Sequence, residues 1–236
     1  MKNTLKLLVV SLFAGSAFAQ DFIAGWDFTG QAGTADVGTY SADVAGSSLV
    51  SIDTSAFIQA TDFGGAAIAN EANQVGFRSG GNAPELGDFD YNNGFSSAPY
   101  DLYFRGTIDG LAWTIDLDVS SFTAVTLMFD SYTTNSEHSS AAVSYTLDGG
   151  TSTAWGTETF ASAYAASSLA SDLDVSSASS MVISVEFSSS EADQLALADT
   201  GVYFDNIAIS AVPERSTYAA IAGLLVLSVA IFRRRK

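Results

Sequence analysis

Trp113-Thr114-Ile115-Asp116-Leu117-Asp118-Val119 alternates apolar and polar residues without a break, as a strand does when one face is buried and the other is wet. Val143, Tyr145 and Leu147 alternate with Ser144 and Thr146, then stop at Asp148-Gly149-Gly150, a hairpin turn signal. Met181, Ile183, Val185 and Phe187 form a third such face. Shorter runs at 23–28, 49–53, 102–108, 125–129 and 202–209 are separated by Gly, Ser, Asn and Asp. Only 161–170 and 191–199 read as helix, about two turns each. The pattern predicts an all-β fold, an antiparallel sandwich of many short strands.

The hexapeptide Asp116-Leu117-Asp118-Val119-Ser120-Ser121 recurs word for word at 172–177. A strand follows each copy, ending in Phe129 and Phe187. The echo reads as two equivalent strand–turn–strand corners of one sandwich. A duplicated functional loop is the alternative.

Charge separates the chain into three parts. Of nine Lys and Arg, only Arg78 and Arg105 lie between Gln20 and Val212, against 25 acidic residues, so that stretch carries −23 while the whole chain carries −17. A polyanion of this strength repels phosphate, so nucleic acid is excluded as a partner. The absence of cysteine excludes disulfides, thiolate metal sites and a cysteine nucleophile. A single histidine excludes any site needing two imidazoles.

At the N-terminus, Lys2 and Lys6 precede the apolar run 7–14, and Ala17-Phe18-Ala19 offers a small-x-small cleavage site before Gln20. Residues 1–19 therefore read as a signal peptide, handled by the Sec export machinery. At the C-terminus, 218–232 is an unbroken run of apolar and small residues in which Ser228 is polar. Counted from Ser216 it would make roughly 25 Å of helix, the short end of a membrane span. Arg233, Arg234, Arg235 and Lys236 follow at once and would keep that end cytoplasmic. The acidic domain, 20–211, would then lie outside the inner membrane, with 212–236 as a transient anchor.

Val212-Pro213-Glu214-Arg215-Ser216-Thr217-Tyr218, the apolar run and the basic end follow one another in this order. This tail resembles the PEP-CTERM sorting signal of Gram-negative bacteria, with Arg215 where the third motif residue is usually proline. The resemblance implies recognition by an exosortase, a membrane-embedded transpeptidase-like cysteine protease. Val212, Pro213 and Glu214 would be its recognition site, and the product would go to the outer envelope, cell surface or exopolysaccharide matrix. The proline keeps the segment extended, which suits entry into a protease groove. Three further segments are similar to jelly-roll, galactose-binding-like domains: 23–28, 143–150 and Phe204-Asp205-Asn206-Ile207.

Within the acidic domain, His138 sits in a polar stretch, 133–140, and reads as a solvated loop histidine without a nucleophile elbow nearby. Glycine loops that would cradle phosphate are missing. Asp116 and Asp118 share a strand face, as do Asp172 and Asp174 if extended, and both pairs read as solvent faces before catalytic ones. Clustered aspartates in an exported protein also suit a structural calcium, for which Asp88, Asp90, Asp116, Asp118, Asp148 and Asp205 are candidates. Trp26, Trp113, Trp155, Tyr100, Tyr103 and Tyr132 are available to stack on sugars, but alternation places Trp26 and Trp113 in the core. The Gly/Asn/Ser-rich stretch 80–100 reads as a long surface loop, where Tyr91, Phe95 and Tyr100 would meet a ligand. Three functions fit: a non-catalytic surface or matrix protein that binds polysaccharide, a secreted polysaccharide hydrolase using a carboxylate pair, and a passive spacer.

Overall fold

The computed structural model describes residues 21–26, 28, 39–42, 50–59, 74–79, 100–105, 108–134, 138–162, 165–168, 172–189 and 201–214. Among these residues there are fourteen strands and no helix. They are β1 Asp21–Trp26, β2 Thr39–Ser41, β3 Ser51–Asp53, β4 Ile58–Gln59, β5 Gln74–Ser79, β6 Tyr100–Arg105 and β7 Ala112–Asp118. The second half adds β8 Phe122–Thr133, β9 His138–Leu147, β10 Thr153–Thr159, β11 Ala165–Ser168, β12 Leu173–Asp174, β13 Ser180–Ser189 and β14 Gly201–Pro213.

The strands form two sheets. The larger runs β11-β8-β14-β6-β5-β4, with β1 beside β14 and β12 beside β8; the smaller runs β10-β9-β13-β7-β3-β2. Pairing is antiparallel except between β4 and β5. Side chains from both sheets meet in one core, as in a β-sandwich. Trp113 of β7 packs edge-on against Phe204 of β14, ring centres 5.5 Å apart. Phe187 of β13 meets Phe104 of β6 at 4.9 Å. The two tryptophans assigned to the core by alternation, Trp26 and Trp113, are both fully buried. Trp26 also donates its indole N–H to the Tyr40 carbonyl at 2.9 Å, joining β1 of one sheet to β2 of the other.

β14 explains itself by position. It pairs with β8 along one side and with β6 and β1 along the other, and most of its residues are buried on both faces. Such a strand reads as a nearly continuous apolar run.

The repeated hexapeptide folds into two equivalent corners. Asp118 Oδ1 accepts from the amide and hydroxyl of Ser120 at 3.0 and 2.6 Å. Asp174 Oδ1 accepts from Ser176 in the same way, at 2.9 and 2.7 Å. One corner carries the chain from the smaller sheet to the larger, β7 to β8; the other returns it, β12 to β13. The predicted hairpin turn is also present. Asp148 and Gly149 have φ of 48° and 69°, and the Gly150 amide donates to the Leu147 carbonyl at 2.9 Å, the type I′ arrangement.

Three local expectations are corrected. Ala165–Ser168, inside the stretch read as helix, is β11, antiparallel to 128–131 of β8. The free edge of the twelve-residue β8 offers these small residues backbone partners that they have no apolar stripe to outbid. His138 opens β9 opposite Ser189 of β13 and is not in a loop. Tyr100 opens β6 opposite Ser79 of β5 and does not belong to the preceding loop. The other helical expectation, 191–199, lies outside the described residues.

Candidate functional site

Alternation along β14 sends Val202 and Phe204 into the core and turns Tyr203 and Asp205 to the opposite face of the larger sheet. Tyr203 lies in register with Tyr103 on β6 and with Tyr132 on β8. The three rings form a ladder across the strands. Tyr132 stacks on Tyr203 with centres 4.2 Å apart and planes 15° from parallel, and Tyr103 follows at 4.5 Å and 37°. Tyr103 and Tyr203 are buried, whereas Tyr132 is half-buried and forms the open end. Gly201 makes room for this packing, because a Cβ there would run into the Tyr103 ring and the Phe104 carbonyl.

The next row on this face is acidic. Asp205 lies opposite Asp130 of β8, and the two are 7% and 2% exposed. The β8–β14 register breaks between Asp205 and Ala208, where Asn206 takes a φ of 49°. From there Asn206 donates its amide N–H to Asp205 Oδ1 at 2.8 Å and its side-chain Nδ2–H to Asp130 Oδ2 at 2.7 Å. The other oxygen of Asp130, Oδ1, is buried without a hydrogen-bond partner. Burial pushes the Asp130 carboxyl up to about 6, and the Asn206 hydrogen bond only partly opposes it.

The candidate calcium ligands do not converge. Asp116 and Asp118 are exposed on the outer face of the smaller sheet. The bonds from Ser120 hold Asp118 below the usual carboxylate range. Asp148 Oδ1 accepts from the hydroxyls and amides of both Ser179 and Ser180, which lowers its pKa likewise. These two aspartates cap turns. Among the described residues no group of three or more His, Asp or Glu is placed to hold a metal. Asp205 differs from the rest in lying opposite a second carboxylate, Asp130, whose Oδ1 is buried without a hydrogen-bond partner. Asp130 escaped the sequence reading, although a carboxylate closing the apolar run 125–129 was the available signal. Asp88, Asp90, Tyr91 and Phe95 lie outside the described residues.

Of the expected sorting motif, Val212 and Pro213 close β14, with Pro213 opposite Phe122 of β8. The Thr123 hydroxyl donates to the Val212 carbonyl at 3.2 Å, and the Glu214 amide to the Ser121 carbonyl at 2.9 Å. The expected cleavage residues Ala17, Ala19 and Gln20, the apolar run 218–232 and the basic end 233–236 lie outside the described residues. Among the described residues no helix is long and apolar enough to cross a membrane.

No protein-family model matches the chain, and no curated protein matches it. Solved structures do. A carbohydrate-binding module, TmCBM61 in complex with β-1,4-galactotriose, is 11% identical over 48% of this chain and 70% of its own, with a TM-score of 0.33. The CBM22-1–CBM22-2 tandem of Paenibacillus barcinonensis Xyn10C is 11% identical over 85% of this chain and 48% of its own, with a TM-score of 0.42. The enzymatically active domain of tailspike protein 4 of bacteriophage CBA120 is 12% identical over 60% of this chain and 18% of its own, with a TM-score of 0.37. Binding modules and an enzyme share this likeness, so function has to be argued from the residues.

Proposed function

We propose that this chain is an exported surface or matrix protein, sorted by an exosortase through Val212-Pro213-Glu214. Its β-sandwich, of the jelly-roll kind, binds polysaccharide without catalysis. The binding part rests on one observation: three tyrosines in register across β6, β14 and β8, open to solvent at Tyr132. Aromatic faces meet the C–H faces of pyranose rings, and a ring already stacked on its neighbour is held rigid for that contact. The sorting part rests on the order of motif, apolar run and basic end in the sequence. Asp205 and Asp130 are the residues that would hold a calcium ion, which would supply positive charge to an acidic face.

The hydrolase reading has one observation in its favour. A carboxyl raised to about 6 beside a second carboxyl is the pairing glycosidases use. At 2% and 7% exposure, however, neither side chain meets solvent as a substrate would require.

The test is a panel of soluble polysaccharides against the purified full-length chain, read by affinity electrophoresis and by release of reducing sugar. Retardation on at least one polysaccharide, weakened about tenfold by Tyr132→Ala and unaccompanied by sugar release, is the expected result. Sugar release abolished by Asp130→Asn would replace this reading with the hydrolase one.

A further inference from the structure

We propose that Trp155, with Tyr145 beside it, is a second stacking site for polysaccharide, at the edge of the smaller sheet, and that its ligand is an uncharged chain. The inference rests on the polysaccharide-binding reading and assigns it a separate place and a ligand class.

Trp155 lies on β10, the last strand of the smaller sheet, which among the described residues pairs only with β9. The register slips there: Ala154 faces Ser144 and Gly156 faces the next residue, Val143, so Trp155 is the extra residue of a β-bulge. Bulges re-aim the side chain they carry. The indole stands edge-to-face with Tyr145, ring centres 6.2 Å apart at 83°. Both residues are half-buried and pack against the margin of the core. Gly156, directly after it, adds no side chain to screen the indole.

The contrast with the other two tryptophans matters. Trp26 and Trp113 are fully buried, so their rings are core. The Trp155 Nε1–H is buried without an acceptor, but so is that of Trp113, so the partial exposure of Trp155 and the bulge carry the argument.

The surroundings select the ligand. Thr153 lies opposite Tyr145 on the same face, with Thr151 and Ser152 exposed just before it, and Glu158, half-buried on that face, is the one ionisable residue of β10. Hydroxyls flanking an aromatic face suit a polyhydroxylated chain. An anionic polysaccharide would meet the −23 of residues 20–212, a repulsion that an uncharged chain avoids. A second copy of the protein, adding its own edge strand, would face that same repulsion and an edge interrupted by the bulge.

Tryptophan fluorescence reads the site directly, because of the three tryptophans Trp155 is the one with partial exposure. Full-length protein would be titrated with neutral xylan, galactan and a mixed-linkage glucan, and with polygalacturonate in EDTA. The expected result is that a neutral polysaccharide changes the emission and protects it from acrylamide. Trp155→Phe should lose that signal, and Trp155→Ala should weaken binding about tenfold with its circular dichroism unchanged. Binding that persists in Trp155→Ala but falls in Tyr132→Ala would overturn this site and leave the polysaccharide reading intact. Binding of polygalacturonate more tightly than any neutral chain would overturn the ligand class. No binding by wild-type protein to any of them would overturn both readings, and a dimer lost in Trp155→Ala would assign the edge to a second copy instead.

Discussion

Val119 and Val175 hold the same place in two corners that fasten each other. The Val119 amide donates to the Ser179 carbonyl, and the Val175 amide to the Thr123 carbonyl, each at 3.0 Å. Each acceptor lies four residues beyond the other corner's valine, so the repeat in sequence has become a reciprocal clasp between the sheets. Both side chains are fully buried. Truncation to alanine removes two buried methyl groups at each, so Val119→Ala and Val175→Ala should each cost about 1.5–3 kcal/mol. Urea unfolding should give the two variants similar losses. A large loss at one and none at the other would mean that the corners are not equivalent.

Asp130 should make stability fall as pH rises. Its carboxyl is raised to about 6 in the fold, against about 3.9 in an unfolded chain. The folded state therefore binds the proton more tightly, and the group's favourable contribution is complete below about pH 4 and gone above its folded value near 6. The difference of about two units corresponds to about 3 kcal/mol. Asp130→Asn keeps an oxygen for Asn206 and cannot ionise. In calcium-free buffer, the stability of this variant relative to wild type should rise by about 2 kcal/mol between pH 4 and pH 7, measured by urea unfolding at each pH. Parallel pH profiles would show that Asp130 is not the buried acid described.

Sequence alone made the period-two strands legible, because each can be read within a window of seven residues. Trp113–Val119 and Met181–Phe187 lie where alternation put them, and Asp148-Gly149 turned as its chemistry required. The features missed depend on partners far along the chain. Ala165–Ser168 has no pattern of its own and is a strand because β8 is beside it. Asp130 meets Asp205, and Tyr132 meets Tyr203, only after β8 and β14 pair in one register. The bulge at Trp155 is a slip between two strands and has no signature in either.

Gly201→Ala should be among the most damaging single-methyl additions in the protein. A Cβ at this position would meet the Phe104 carbonyl and the Tyr103 ring, and backbone cannot yield as a flexible side chain does. The backbone amide of Gly201 is also tied to Thr134 Oγ1 at 2.9 Å. The expected loss is about 3 kcal/mol or more, seen as a fall in Tm by calorimetry. A variant as stable as wild type would mean that β6 and β14 do not lie this close.

Calcium should stabilise wild-type protein through the Asp130–Asp205 pair. Ligand that binds only the folded state raises stability by mass action, about 2.7 kcal/mol at a hundred times Kd. Calcium chloride should therefore raise Tm, and EDTA should reverse the rise. Sodium chloride at matched ionic strength should do less, since screening relieves the general repulsion without filling the pair. Asp205→Asn should abolish the calcium-specific part and leave the salt effect. Equal responses in wild type and variant would assign calcium's effect to diffuse screening.

The proposed sorting motif should be cleaved faster when the end of β14 is loosened. Pro213 is still paired with Phe122, and Val212 and Glu214 are held by Thr123 and Ser121, whereas a protease groove needs an extended, unpaired segment. Thr123→Val keeps the shape of the side chain and removes its bond to the Val212 carbonyl. A lost hydrogen bond of about 0.5–1.5 kcal/mol would raise the population of the frayed end by about two- to tenfold. In a host carrying an exosortase, pulse-chase labelling should show processing of Thr123→Val faster by a similar factor, while Pro213→Ala with Glu214→Ala stops it. Unchanged processing in Thr123→Val, with the motif variant blocked, would place the rate-limiting step after release of the strand end.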